Sequence, residues 1–111
     1  MVPVFSSGRI FIHTAPIDGR LAHRGLSFLV THVMEHDLLD GDTFVFISGS
    51  RRAAKVLIFD GTGLLLLHKK LEVGLFMKVS KSQKLYELSP KALEQILGGS
   101  NVVLGYSLLP K

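Results

Sequence analysis

The chain has no cysteine among its 111 residues. That excludes a disulfide framework, thiolate metal sites and a cysteine nucleophile, and it suits a reducing compartment. No apolar run exceeds four residues, the length of Phe44 to Ile47 and of Leu64 to Leu67, whereas a membrane-spanning helix needs about 20. Met1-Val2-Pro3-Val4 lacks the charged region and apolar stretch of a secretory leader. Internal repeats, low-complexity tracts and linkers are also missing. No serine, histidine and acid are spaced as a nucleophile with its base. The expectation is therefore a cytoplasmic protein without a membrane partner, folded as one domain over residues 1–111, with no catalytic residue and no cofactor assigned.

What is present is unusually apolar for so small a chain. Hydrophobic residues make up 47% and the mean hydropathy is +0.36, which fits a sheet covered on both faces or a self-associating surface. The net charge is +4, unevenly spread. Glu35, Asp37, Asp40 and Asp42 fall within eight residues. From Phe44 to Lys84, by contrast, Arg51, Arg52, Lys55, Lys69, Lys70, Lys78, Lys81 and Lys84 face only Asp60 and Glu72. Such a concentration of cations attracts polyanions, nucleic acid among them.

The element pattern is that of an α+β fold: a small, mainly antiparallel sheet of about five or six strands with two helices packed on it. Val2 to Val4 and Arg9 to His13 read as an extended start. In the second piece Arg9, Phe11 and His13 share one face, and Ile10 and Ile12 the other. Asp18 is the expected N-cap of a helix from about Arg20 to Glu35, whose stripe is Ala22, Leu26, Leu29, Val30 and Val33. Gly25 lowers helix propensity, which a close contact with the sheet would offset. Thr43 to Ile47 is β-branched and aromatic, hence a strand. Lys55 to Asp60 reads as a central strand buried on both faces. Asp60-Gly61-Thr62-Gly63 is the strongest hairpin signal, returning the chain antiparallel along Leu64 to Leu71. Val73 to Val79 suggests a further short strand, Ser80 to Gln83 a polar loop, and Lys84 to Leu88 another strand. Ser89-Pro90 opens the second helix, with serine as cap and proline at the first position. Leu93, Ile96 and Leu97 form its apolar face, and Gly98-Gly99 stops it. Asn101 to Lys111 reads as an edge strand or docked segment.

Three constellations invite chemistry. His32-Val33-Met34-Glu35-His36 matches an inverted zinc-peptidase pattern. On a helix His32 and His36 share a face and Glu35 stands as base, against the simpler reading of a polar last turn near the negative end of the helix dipole. Asp60-Gly61-Thr62-Gly63 has no following lysine or helix, so it lacks the phosphate-cradling mechanism of a P-loop. Asp37, Asp40 and Asp42 lack the alternation and terminal glutamate of a calcium loop. The basic set is the best functional candidate. Arg51 and Arg52 sit in a loop where guanidinium forks onto phosphate, and Lys55, Lys69 and Lys70 are expected together at one end of the sheet.

A family resemblance sharpens this. Met1-Val2-Pro3-Val4, Asp18-Gly19-Arg20, Gly25-Leu26, Phe44-Val45-Phe46, Lys55, Asp60-Gly61 with Gly63, and Lys69-Lys70-Leu71-Glu72 with Gly74 and Phe76 occur in register. Leu88-Ser89 with Leu93, Ile96, Leu97 and Gly99 follows. Together they resemble the TnpB-type accessory proteins of the sixty-six family of bacterial insertion sequences, which are distinct from the RNA-guided nuclease of that name. The likeness runs from Met1 to about Gly99. The family's denser basic run after Phe-Val-Phe is shortened here to Arg51 and Arg52, and its Asp-Met-Arg is Asp18-Gly19-Arg20. The resemblance implies a non-enzymatic role in transposition beside a separate transposase, with DNA as the expected partner. Arg20, Lys55, Lys69 and Lys70 carry over as matched polar positions, and Arg51 and Arg52 join them on charge. The alternatives are a protein-interaction module, with a second copy or the transposase as partner and no DNA contact, and a small zinc hydrolase using His32, Glu35 and His36. The high apolar fraction favours the interaction module.

Overall fold

A computed structural model describes residues 8–78 and 85–98. The expectations for Val2 to Val4, for Ser80 to Gln83, for Gly99 and for Asn101 to Lys111 lie outside the described residues, as do Val79 and Lys84. The elements are β1 (Ile10–His13), α1 (His23–His32), a short 3₁₀ turn (Leu38–Asp40), β2 (Thr43–Ile47), β3 (Ala53–Phe59), β4 (Leu64–Lys70), β5 (Leu85–Leu88) and α2 (Pro90–Leu97). They form one five-stranded sheet in the order β4-β3-β2-β1-β5. This is the expected α+β arrangement.

Strands β2, β3 and β4 form an antiparallel meander, with Val45 opposite Val56 and Val56 opposite Leu67. The parallel pair is β1 with β2, Phe11 opposite Phe44. Parallel neighbours require a long crossover, and α1 lies in the segment that makes it. β5 adds antiparallel to the free side of β1.

Alternation along the strands creates two cores. Phe11, Phe44, Phe46 and Leu57 point to one face and pack with Leu26, Val30 and Met34 from α1 and its C-terminal turn. Ile12, Val45, Ile47, Val56 and Ile58 point to the other, beneath Ala92, Leu93 and Ile96 of α2. The helices therefore stand on opposite faces. All five residues of β2 are buried, which explains why Phe44 to Ile47 is an uninterrupted apolar stretch rather than an alternating one.

Local chemistry sets the boundaries. Ser89 Oγ accepts from Ala92 N–H at 3.1 Å and Pro90 takes the first helical position, as the sequence predicts. Asp60 Oδ1 accepts from the N–H groups of Thr62 (3.0 Å) and Gly63 (2.9 Å), and Gly61 adopts φ 105°, which closes the β3–β4 hairpin.

Three local expectations need correction. Asp18 does not cap α1. The helix starts three residues beyond Arg20 with Ala22 as an uncapped N-cap, because Asp18 instead accepts from the backbone N–H of Arg20 at 2.9 Å and closes an earlier turn. The room left by Gly25 is taken by Leu21, whose Cδ2 would stand 2.6 Å from a Cβ there, and not by the sheet. Val73 to Lys78 is no strand. Leu71 N–H donates to Arg52 O and Phe76 N–H to Arg51 O, each at 2.7 Å, so this irregular segment hangs on the β2–β3 loop and buries Phe76 and Met77 on the α2 face.

Leu57 is fully buried at the centre of the sheet on the α1 side. Leu57→Ala is expected to lower unfolding stability by about 2–5 kcal/mol, read as a shifted urea midpoint at unchanged slope.

Candidate nucleic-acid interface

Register brings the ends of four strands together. Ile12 lies opposite Val45, Ile47 opposite Ala54, and Ala53 opposite Lys70. The close of β1, β2 and β4 and the start of β3 therefore share one end of the molecule. That end carries the loops bearing Arg20, Arg51 and Arg52, the Lys69-Lys70 pair and Lys78. The opposite end, where β1 and β2 begin and β3 turns into β4, carries Asp40, Asp42 and Asp60. With Asp18, paired to Arg20, and Glu72, just beyond β4, as the acids of the basic end, the charge asymmetry of the sequence becomes a net spatial polarity.

Among the described residues, ion pairs join only Arg9 to Glu87 (2.9 Å) and Arg20 to Asp18 (2.8 Å). All nine acidic side chains of the chain are in the described parts, and none of them is in salt-bridge contact with Arg51, Arg52, Lys69, Lys70 or Lys78. Arg52, Lys69, Lys70 and Lys78 are exposed.

The six expected residues behave differently. Arg20 is open to solvent, and its guanidinium holds the Asp18 carboxyl down at about 2, chiefly through side-chain hydrogen bonds. A phosphate reaching Arg20 must compete with that carboxylate.

Arg51 is half-buried and structural. It adopts the left-handed region at φ 62°, a conformation that costs a non-glycine residue energy. The cost is offset because Phe76 N–H donates to its carbonyl and its Nε donates to Phe76 O at 2.9 Å. Arg52 lies beside it, exposed. Lys69 and Lys70 alternate across the edge strand, so they point to opposite faces. Lys69 Nζ donates to Leu97 O at 2.6 Å, where a cation suits the carbonyl end of α2.

Lys55 departs most from expectation. It is buried at 6% exposure on the α1 face, and its Nζ donates to the carbonyls of Gly19 (2.7 Å) and Leu21. Strand alternation aims it inward from β3, opposite Phe46 and His68, so it does not join Lys69 and Lys70 on the surface. Its ammonium fixes the loop that displays Arg20. The lysine itself does not announce its burial. The signal was its place amid Ala54, Val56, Leu57 and Ile58 on a strand buried on both faces.

The histidine motif is not assembled as a metal site. α1 ends at His32 and Glu35 turns left-handed at φ 58°, so His32 and His36 do not share a helical face. The His32 ring lies 4.5 Å from Phe28. The His36 ring packs on Phe11 at 4.4 Å and its Nδ1 bonds with Met34 O. Among the described residues no group of three or more His, Asp or Glu side chains is placed to hold a metal ion, and no helix is long and apolar enough to cross a membrane.

Sequence reasoning missed a cleft of about 300 Å³ outside the ends of β1 and β2, lined in part by His13, Thr14, Ile47, Arg51, Met77 and Lys78. It forms because the segment after β4 folds back over the β2–β3 loop, which no local pattern encodes.

Removing the Lys55 ammonium tests its structural role. Lys55→Met is expected to cost roughly 1–3 kcal/mol, the range for leaving buried acceptors unsatisfied, measured by urea unfolding, and to raise amide hydrogen exchange at Arg20 and Leu21.

Against known proteins, the sequence pattern of the family described as IS66 Orf2 like protein matches residues 8–104. The uncharacterized protein y4hO of Sinorhizobium fredii is 33% identical over 99 residues, covering 89% of this chain and 86% of its own. A second protein of that organism, the uncharacterized y4jC, is 31% identical over 91 residues, covering 82% and 78%. No solved structure matches the chain.

Proposed function

The chain belongs to the IS66 Orf2-like family, and on that footing we propose that it is a non-catalytic accessory protein of insertion-sequence transposition. In this reading its basic end lies against DNA phosphates while a separate transposase does the chemistry. One observation carries the DNA contact. Arg51, Arg52, Lys69, Lys70 and Lys78, none of them in an ion pair among the described residues, gather at one end of the sheet, and the aspartates of the hairpin and the acidic loop gather at the other. Such a dipolar molecule orients a polyanion to one end. Lysines and loop arginines of this kind position a nucleic acid without reading its sequence.

The test is fluorescence anisotropy on labelled duplexes, one carrying the terminal inverted repeat of the parent element and one scrambled. Affinity is expected to fall with salt at a logarithmic slope of about −0.9 per contacted phosphate. The double reversal Arg52→Glu with Lys70→Glu should weaken binding more than about tenfold, since each reversal replaces an attractive phosphate contact by a repulsive one. Salt-independent binding, or a double reversal that binds as well as the parent, rejects the DNA contact.

A second reading, a self-associating interaction module, is favoured by β4. This strand pairs with β3 on one side, and among the described residues nothing pairs with its other edge. Its register is regular along its length, it contains no proline, and Leu64 to Leu67 are each only half-buried. Natural edge strands are normally blunted by charge, bulges or proline, and here only the Lys69-Lys70 end is charged. An antiparallel second copy would set Lys69 and Lys70 beside the partner's Asp60 turn, whereas a parallel one would align like charges. On this reading the occupant is a second copy in a two-fold dimer. Light scattering should then give twice the 12.2 kDa chain mass, and Leu66→Lys should give a folded monomer by circular dichroism. A parent that is monomeric at millimolar concentration removes this reading.

A further inference from the structure

The cleft beyond β1 and β2 has features that the phosphate-contact reading does not use. It lies outside the carboxyl ends of the sheet's parallel strand pair. Its charge is one-sided: Arg51 and Lys78 line it and no acidic residue does. The undescribed segments contain no aspartate or glutamate, so none of their side chains can neutralise the pair.

The cleft also has an apolar wall. Ile47 and Met77, each 6% exposed, line it together with the hydroxyl-bearing Thr14. Arg51 is held in place before any ligand arrives. Its main chain is clamped by Ser48 O and Phe76 N–H and its Nε by Phe76 O, which leaves the two terminal nitrogens to fork onto an anion. A guanidinium already fixed in this way loses little conformational freedom on binding.

From this geometry we infer that the cleft binds a single phosphorylated nucleotide unit, its phosphate against Arg51 and Lys78 and its sugar and base against Ile47 and Met77. Two cations over an apolar wall match an amphiphile with one anionic end, and a volume of about 300 Å³ is at the small end of ligand pockets, too small for a stretch of duplex. The inference deepens the phosphate-contact reading and rests on it for the identity of the anion as nucleic-acid phosphate. A free mononucleotide and the 5′-phosphorylated end of a strand present the same chemistry.

The experiment is isothermal titration of the full chain with deoxyadenosine 5′-monophosphate and with deoxyadenosine, followed by competition with a short single strand bearing or lacking a 5′-phosphate. The nucleotide is expected to bind about tenfold or more tighter than the nucleoside, the size of one charge-assisted contact. Lys78→Gln, an exposed change that leaves the clamp intact, should weaken it by a similar factor, and Lys91→Gln at the opposite end of the molecule should not. Arg51→Gln should weaken it further, with thermal melting to confirm that the variant is folded. Displacement by the phosphorylated strand alone assigns the cleft to strand ends, and displacement by neither strand assigns it to free nucleotide. Equal binding of nucleotide and nucleoside, absence of nucleotide binding, or indifference to Lys78→Gln overturns the inference. Duplex binding that responds to Arg52 and Lys70 while the nucleotide fails to bind would overturn this site and leave the phosphate-contact reading standing.

Discussion

The structure depends on one constraint: β2 and β3 are apolar on both faces. A strand such as Thr43–Ile47, buried at all five positions, cannot lie on the surface of a one-sided sheet without exposing half its side chains to water. Each face therefore needs its own cover. Phe44, Phe46 and Leu57 take α1, and Val45, Val56 and Ile58 take α2 together with the segment that buries Phe76. The high hydropathy that looked excessive for a chain of this length is the composition a doubly covered sheet requires. What is left over is β4, at the edge of the sheet, with its leucines only half-buried.

The same constraint decides the fate of the cations. On β3, alternation sends Lys55 inward, where an ammonium is tolerable only if hydrogen-bonded. It finds the carbonyls of Gly19 and Leu21. A charge that looked functional by position is spent on holding the β1–α1 connection. Arg51 is similar in part, because it anchors the chain after β4 through Phe76 while still presenting its terminal nitrogens. The cations that face solvent do so because they sit in loops or on the polar end of an edge strand. Antiparallel return along β3 and β4 delivers them to the same end as the loop carrying Arg20.

Much of this was legible residue by residue. The strands at Arg9 to His13, Thr43 to Ile47, Lys55 to Asp60 and Leu64 to Leu71, the hairpin at Asp60 to Gly63, and the helix opened by Ser89-Pro90 were all signalled by period, turn chemistry and caps. Each of those signals is local. The misplaced start of α1 is also local in origin: Asp18 has two nearby ways to satisfy its carboxylate, and the turn through Arg20 prevailed over the cap. Val73 to Val79 looked like a strand because burial against the sheet, rather than pairing, keeps Phe76 and Met77 apolar. The histidine motif failed where a helix end intervened between His32 and His36.

By itself the sequence determined the sheet strands and the presence of both helices, though not the bounds of α1 or the irregular course of Val73 to Lys78, that the chain carries no thiol, that positive charge is concentrated between Phe44 and Lys84, and, through residues spread along the chain, the family to which it belongs. Only the tertiary structure decided that β1 and β2 run parallel, that the helices take opposite faces, that Lys55 is buried while Arg52 and Lys70 are not, and that Arg51 and Lys78 line one cleft. The reason is physical. Periodicity and capping act over a few residues, whereas strand order, the face a side chain enters and the meeting of two loops are set by which distant surfaces bury one another.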